Sequence, residues 1–168
     1  MVEADFGNWH IVCLPEDGAR ISVLKYEGKD LLTTALSLFR KPEKNYGDYE
    51  HRSVYGYDDC FPTVDKCNYP GGNFECSDHG ELYRQKWEVK TEKSGLTCST
   101  ICPKPEASFT RILEFSGNNL TWYFEVKNLS GKQLPFLRYL RQCDERRIHT
   151  AERRGEQPCQ CRNRIDDG

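Results

Sequence analysis

The clearest pattern in the chain is an alternation of apolar and polar side chains on either side of a short turn. Over residues 109–115 the odd positions 109, 113 and 115 are apolar, and over 120–126 the even positions are apolar and the odd ones more polar. Because successive side chains of a strand point to opposite faces, each run predicts a strand with one buried face. Residues 116–119, which contain one Gly and two Asn, are suited to the turn of a hairpin between them.

Shorter runs of the same kind predict further strands and turns. Residues 15–18 are turn-forming, and 27–30 form a Gly-containing hairpin loop. No helical periodicity of any length accompanies these runs, so we expect an all-β chain built as an antiparallel β-sandwich. The further predicted strands are 9–14, 19–26, 31–32, 81–90, 96–102 and 135–140.

A long polar stretch separates the first strands from the second β region. Residues 40–78 are rich in Tyr, Gly, Asp, Asn and Pro and contain only brief apolar runs. The stretch is too long for an ordinary connection in a compact domain, and loops of this length usually have a function. It therefore predicts a binding loop laid over the β scaffold.

Composition narrows the function classes. The chain has 168 residues, 37% of them hydrophobic, and a net charge of −2 from 24 basic and 26 acidic residues. That content supports one packed domain or a piece of a larger one, and it argues against a nucleic-acid partner. No apolar run is long enough to span a bilayer and residues 1–6 do not resemble a secretory signal, so no membrane partner and a cytoplasmic location are expected.

The nine cysteines are odd in number and lack an export signal, which favours reduced thiols over a disulfide framework. The alternative is a zinc-stabilised, thiol-rich domain that uses Cys98 with Cys102 and Cys159 with Cys161. In a strand, Cys98 and Cys102 would share a face but lie about 13 Å apart, too far for one metal ion. We therefore expect neither a metal site nor a cofactor.

Two loop segments combine carboxylates, aromatic rings and glycine: residues 55–65 and residues 77–83, with Trp87 close behind. Carboxylates and imidazole bind paired hydroxyls, while aromatic faces cover the apolar side of a pyranose ring, so this chemistry suits a sugar pocket. The same residues also suit turns with a surface histidine. The composition of the two segments leaves both interpretations open.

Several segments together resemble the aldose 1-epimerase, or galactose mutarotase-like, family. They occur in the family's order and cover about residue 9 to about residue 140. The resemblance implies part of a large antiparallel β supersandwich with a sugar site on a concave face. The segments are 18–22, 28–32, 57–63 (Tyr-Asp-Asp-Cys-Phe-Pro-Thr), 78–82 (Asp-His-Gly-Glu-Leu) and 126–136.

The family chemistry is the interconversion of aldose anomers. A general acid protonates the ring oxygen, a general base takes the proton from the C1 hydroxyl, and the opened ring closes on the other face. By resemblance, His79 is the candidate catalytic residue, as acid or substrate binder, and the partner is a small aldose. Asp58, Asp59, Asp78 and Glu81 are candidate sugar ligands, although many family members have an arginine in the stretch of Asp58 and Asp59. A turn cap and a strand-end charge are the alternative roles for Asp78 and Glu81.

The sequence departs from the family after residue 140. Where the family has a second histidine, this chain has Arg141-Gln142-Cys143, and the family's base glutamate lies further along than this chain extends. Residues 141–168 contain no aromatic residue and no lysine. We therefore expect 1–140 to be the N-terminal part of a mutarotase-like domain and 141–168 a divergent, disordered tail, as a frameshift would produce.

This division has two functional consequences. Turnover is expected to be impaired, so a non-catalytic carbohydrate-binding module is the alternative function. The sheet edge left by the missing strands would have unpaired backbone groups and would allow self-association.

Overall fold

The described residues fold into β-strands joined by turns and by short 3-10 helices at Pro15–Asp17 and Leu82–Arg84. The computed structural model describes residues 1–33, 49, 52–70 and 72–136, with the backbone of 139–142 and 161–166. In this part of the chain no helix is long and apolar enough to cross a bilayer. The strands are β1 Val2–Phe6, β2 Trp9–Leu14, β3 Arg20–Tyr26, β4 Lys29–Asp30, β5 Tyr57–Cys60, β6 Cys67–Asn68, β7 Glu75–Cys76, β8 Glu88–Glu92, β9 Gly95–Cys102, β10 Ala107–Ser116, β11 Asn119–Asn128, β12 Tyr139–Gln142 and β13 Cys161–Asp166.

Two sheets and a small hairpin make up the described fold. The first sheet has the order β1-β2-β3-β5-β12, with β4 paired to β3, and its pairs are antiparallel. The second has the order β13-β11-β10-β9-β8, antiparallel except for the β11–β13 pair. Strands β6 and β7 form a separate antiparallel hairpin. The predicted all-β class with antiparallel sheets is therefore confirmed.

One hydrophobic core joins the two sheets. Ile11 and Ile21 of the first sheet and Phe109 and Leu113 of the second are all 0% exposed and belong to the same cluster. At one end of the cluster, Phe6 stacks on Phe115 with ring centroids 4.7 Å apart. Full burial of each such side chain stabilises the fold by about 1.5–3 kcal/mol, so the packing of one sheet on the other supplies most of the stability.

A buried ion pair also crosses the core. Arg111 of β10 donates to Asp59 of β5 at 2.6 Å, and both side chains are at most 1% exposed. The Tyr57 hydroxyl donates to the other oxygen of Asp59, also at 2.6 Å. Burial alone would lower the pKa of Arg111, but the charge of Asp59, together with those of Cys98, Cys13 and Tyr57, outweighs burial and the pKa is raised. Arg111 therefore remains charged in the core.

Beside Arg111 lies a pair of buried thiols from the two sheets, Cys13 of β2 and Cys98 of β9. Their mutual hydrogen bond and burial raise the pKa of Cys13 well above its ordinary value. The same hydrogen bond lowers the pKa of Cys98 to about 6; burial opposes this and the Arg111 guanidinium adds to it. The thiols and the ion pair thus form one polar network inside an otherwise apolar core.

Several predicted elements agree with the structure and three predicted strands do not. The strand predicted at 31–32 is displaced to β4, Lys29–Asp30, within the predicted loop. The strands at 9–14 and 19–26, the strand at 96–102 and the hairpin over 109–126 correspond to β2, β3, β9, β10 and β11. The strand predicted at 81–90 is wrong over its first part, because Leu82–Arg84 form a 3-10 helix and β8 begins at Glu88. The strand predicted at 135–140 is displaced to Tyr139–Gln142.

Of the predicted tail, the structure describes only short pieces of backbone. Residues 141 and 142 continue β12, and Cys161–Asp166 form β13 parallel to β11. Residues 143–160, 167 and 168 lie outside the described residues, as do 34–39 before the long polar stretch and 40–48, 50, 51 and 71 within it. The domain boundary at residue 140 stays a prediction.

Candidate functional site

The segment that contains His79 is fixed to the first sheet by a close backbone contact. Gly80 forms a parallel bridge with Phe61, which directly follows β5, and the amide of Glu81 donates to the Phe61 carbonyl at 2.7 Å. Gly80 has a φ of +73°, and a Cβ at this position would lie 2.1 Å from that carbonyl oxygen. Only glycine allows the two segments to approach this closely.

His79 itself has a left-handed backbone conformation, with a φ of +60°. Its amide donates to the Val64 carbonyl at 2.6 Å, which closes the base of the segment between residues 64 and 79. Its Nδ1 lies 2.8 Å from Asp78 Oδ2, and the His79 side chain is 17% exposed. Ala19, Glu27 and Glu106 share this conformation, and histidine is one of the non-glycine residue types that adopt it most often.

Tyr49 connects His79 to Asp58. Its ring is stacked on the imidazole, with centroids 3.7 Å apart and planes within 4° of parallel. Its hydroxyl lies 3.1 Å and 3.0 Å from the two carboxylate oxygens of Asp58 and donates to that group. Two residues that the sequence places in separate motifs are thus held together by one aromatic side chain.

Below Tyr49 lies a buried cluster of two carboxylates and two guanidinium groups. Arg20 Nε is 3.1 Å from Asp17, and Arg20 Nη2 is 3.2 Å from Asp58. Arg52 forms ion pairs with the same two carboxylates. Arg20 also donates to the carbonyls of Ser53 and Tyr55. Because the four charges balance and the side chains are at most 7% exposed, the cluster is a rigid support for Asp58.

Tyr83 and Arg84 extend the cluster. Tyr83 meets the Tyr49 ring edge-on, with centroids 5.1 Å apart, and the Arg52 guanidinium lies 5.0 Å from the Tyr83 centroid. Arg84 donates to the Tyr83 hydroxyl at 2.7 Å. The site therefore combines aromatic faces, an imidazole, carboxylates and guanidinium donors within one set of contacts.

The other two candidate sugar ligands lie in different contacts. Asp59 points to the opposite face of β5 from Asp58 and pairs with Arg111 in the core. Glu81 is 4% exposed; its Oε1 is 3.2 Å from Lys104 Nζ and accepts from Ser77 at 3.3 Å. The contacts described above join His79, Asp78 and Asp58. The sugar-binding role of Asp59 and Glu81 stays a prediction.

The cysteines suggested for a zinc site are spaced as the strand pattern predicts. Cys98 and Cys102 lie on the same face of β9, and both are 0% exposed. Burial and the charge of Glu81 raise the pKa of Cys102 to about 12. Among the described residues there is no group of three potential metal ligands. The backbone of Cys161 lies in β13, and Cys159 is outside the described residues.

Sequence reasoning missed Tyr49 and the two arginines of the cluster. Tyr49 is one of many tyrosines in the polar stretch, and no local spacing distinguishes it. Arg20 gave a usable signal, since it lies beside the apolar Ile21 at the start of a predicted strand, three residues after Asp17. A charged residue that enters the core needs a partner, and Asp17 is the nearest carboxylate.

No protein-family model matches the chain, and no curated relative matches it. Two solved structures are similar over 71% of the chain at 17% identity. One is the Slr1438 protein of Synechocystis sp. PCC 6803, with a TM-score of 0.49. The other is a galactose mutarotase related enzyme of Lactobacillus acidophilus, with a TM-score of 0.47. The aligned region spans 45% and 40% of those two chains, which is less than half of each.

Proposed function

We propose that this chain is a carbohydrate-binding protein of the mutarotase-like class, with the sugar bound at the cluster of His79, Asp78 and Tyr49. The observation that supports the proposal most is the contact set of Tyr49, whose ring stacks on His79 and whose hydroxyl donates to Asp58. Those two partners belong to the two segments, 57–63 and 78–82, in which the sequence resembles the mutarotase-like family.

The chemistry of the cluster matches that of an aldose. A pyranose has hydroxyl groups around its rim and an apolar C–H surface on its faces. Imidazole, carboxylate and guanidinium groups bind the hydroxyls, and an aromatic ring covers the C–H surface. In the proposal, His79 and Asp78 contact the sugar, while Asp58 holds Tyr49 and the buried arginines hold Asp58. The carboxylate of Asp78 lies beside the imidazole, 2.8 Å from its Nδ1.

In this proposal the chain binds an aldose, but its interconversion of the sugar's anomers is impaired. Ring opening needs an acid at the ring oxygen and a base at the C1 hydroxyl. His79 can take one of these roles, because imidazole exchanges protons near neutral pH. At the position where the resemblance expects a second histidine the chain has Arg141 and Gln142, and arginine cannot lose a proton at that pH.

Binding is tested by titration calorimetry of the full chain with several aldohexoses and one hexose phosphate. We expect measurable heat with at least one sugar, and loss of that heat in His79→Ala. His10→Ala is the matched control, because His10 also lies beside a carboxylate, with Nδ1 2.9 Å from Asp5, but on the first sheet away from the cluster.

Anomer interconversion followed by polarimetry tests the second part of the proposal. We expect rates close to those of buffer for every sugar that binds. Absence of heat with all sugars, or equal heat in His79→Ala and wild type, would remove the proposed site. Rapid interconversion that depends on His79 would show that the chain is an active epimerase and would contradict impaired turnover.

A further inference from the structure

A pair of cysteines faces each other across the small hairpin that leads to His79. Cys67 of β6 and Cys76 of β7 are directly opposite in the antiparallel register. Opposed residues of such a ladder have Cβ atoms about 4.5–5.5 Å apart and Cα atoms within the range that a disulfide spans. The proximity of Cys67 is among the causes that raise the pKa of Cys76.

The two thiols differ in exposure. Cys67 is exposed, and its Sγ lies 3.7 Å from Thr63 Oγ1. Cys76 is 0% exposed. Burial, together with the charges of Cys67 and Glu81, raises the pKa of Cys76 to about 11. An oxidant in solution therefore meets Cys67 first, while Cys76 stays protonated and close by. This is the usual arrangement of a reactive cysteine beside a resolving one.

From this geometry we infer that Cys67 and Cys76 form a reversible disulfide when the protein meets a peroxide. The Cys67 thiolate attacks one peroxide oxygen, the O–O bond breaks, and Cys67 becomes a sulfenic acid, while the other oxygen leaves as hydroxide and takes up the proton that Cys67 released, which gives the first water. The Cys76 sulfur then attacks the Cys67 sulfur; the S–S bond forms, and hydroxide leaves and takes the Cys76 proton as water. Two thiols are oxidised and one peroxide is reduced to two waters, and a dithiol reverses the change.

The disulfide would fix the segment that positions His79. Cys76 is followed directly by Ser77 and Asp78, and the amide of His79 is bonded to the Val64 carbonyl, three residues before Cys67. In the reduced protein the hairpin consists of two-residue strands, which are marginal by themselves. A disulfide between Cys67 and Cys76 joins the two strands of the hairpin covalently. It removes the conformational freedom of the opened hairpin.

Peptide mapping tests the inference without any sugar, so its outcome is independent of the proposed function. Trypsin cleaves after Lys66 and Arg84, and the peptide 67–84 contains no other Lys or Arg and no other cysteine. The folded full chain is treated with hydrogen peroxide, and the remaining thiols are alkylated after unfolding. We expect the mass of this peptide to be lower than that of its reduced form by two hydrogen atoms, with no alkyl group on either cysteine. Dithiothreitol should restore both thiols.

Two variants and an unfolded control make the test specific. Cys67→Ser changes an exposed side chain, so it should fold, form no intrapeptide disulfide and leave Cys76 alkylated. Asn68→Ser is the matched exposed substitution in the same strand and should behave like wild type. We expect the disulfide to form about tenfold faster in the folded chain than in urea, because the fold holds the sulfurs together.

Three results would overturn the inference. One is a Cys67 that oxidises to sulfinic or sulfonic acid while Cys76 stays reduced. Another is a Cys67 that links to a cysteine of a different peptide. The third is a disulfide that forms no faster in the folded chain than in urea.

Discussion

The phenol ring of Tyr49 lies flat against the imidazole of His79, at a centroid distance of 3.7 Å. The same phenol bonds to Asp58 through its hydroxyl. Tyr49 therefore gives the imidazole a fixed orientation and transmits to it the rigidity of the buried charges around Asp58. The proposed sugar site depends on this relationship, because the imidazole has to be preorganised to bind without a large entropy cost.

Substitutions of Tyr49 test whether the stacked ring matters for binding. Tyr49→Ala removes the ring and the hydroxyl and should weaken aldose binding about tenfold, since a stacked pair contributes about 0.5–1.5 kcal/mol. Tyr49→Phe keeps the ring and loses only the bond to Asp58, so a smaller loss is expected. Calorimetric titration measures both. An affinity for Tyr49→Ala equal to that of wild type would contradict the role of the ring.

The ion pair across the core predicts a large loss of stability in Asp59→Asn. The substitution leaves the Arg111 charge buried without its carboxylate, at a cost of about 3–5 kcal/mol. Urea denaturation measures the free energy of unfolding. Glu75→Gln is the control, because it breaks the Lys66–Glu75 pair, whose side chains are 66% and 57% exposed. That surface pair should contribute less than about 1 kcal/mol. Equal effects of the two substitutions would be inconsistent with a stabilising buried pair.

Alanine substitutions at two glycines with nearly the same φ distinguish the stability cost of backbone strain from that of a steric clash. Gly80 and Gly28 have φ values of +73° and +75°, but a Cβ at Gly28 meets nothing within 4 Å. Gly28→Ala should cost about 1 kcal/mol from the left-handed conformation alone. Gly80→Ala should cost clearly more, because Phe61 must also move. Thermal unfolding of both variants measures the difference, and similar melting temperatures would argue against the Phe61–Gly80 contact.

The lowered pKa of Cys98 predicts how stability changes with pH. Its folded value of about 6 is below the ordinary 9.0, so between these pH values the unfolded chain binds more protons than the folded one. The contribution of Cys98 is therefore complete above about pH 9 and is lost as the pH falls through about 6. Under reducing conditions, the stability of wild type minus that of Cys98→Ser should rise from pH 6 to 9.

Cys102 provides the control for that prediction. It lies on the same buried face of β9, but its pKa is raised to about 12, so it stays protonated in the folded chain over this range and begins to ionise in the unfolded chain only above about pH 8. The stability difference between wild type and Cys102→Ser should be independent of pH up to about 8. A flat profile for Cys98→Ser as well would show that Cys98 is not a thiolate in the fold.

The sequence predicts the strands that have one apolar face and fails where long-range contacts decide. The alternation over 109–115 correctly predicts β10, including the buried side of position 111. It does not reveal that Arg111 is tolerated there, because Asp59 lies 52 residues away. Residues 82–84 have the composition of a strand, yet they form a 3-10 helix directly after the Phe61–Gly80 bridge and the buried Glu81. The local pattern of apolar and polar residues contains no information on contacts between residues that are far apart in the sequence.

The residues of the candidate site likewise divide into those that the sequence predicts and those that it does not. His79, Asp78 and Asp58 are recognisable because their segments combine polar groups with glycine and resemble a known family. Tyr49 and Arg52 are not recognisable from the sequence, because their roles arise only from contacts with residues in and beside β3 and β5. Asp58 and Asp59 are neighbours with opposite environments, as the alternation of a strand requires.

The most direct test of the central claim is saturation-transfer NMR of the full chain with an aldose. Selective saturation of the protein should transfer to the sugar's protons in wild type and in His10→Ala, and the transfer should be lost in His79→Ala. Transfer that persists unchanged in His79→Ala, or is absent from wild type with every aldose and with a hexose phosphate, would contradict a sugar site at His79.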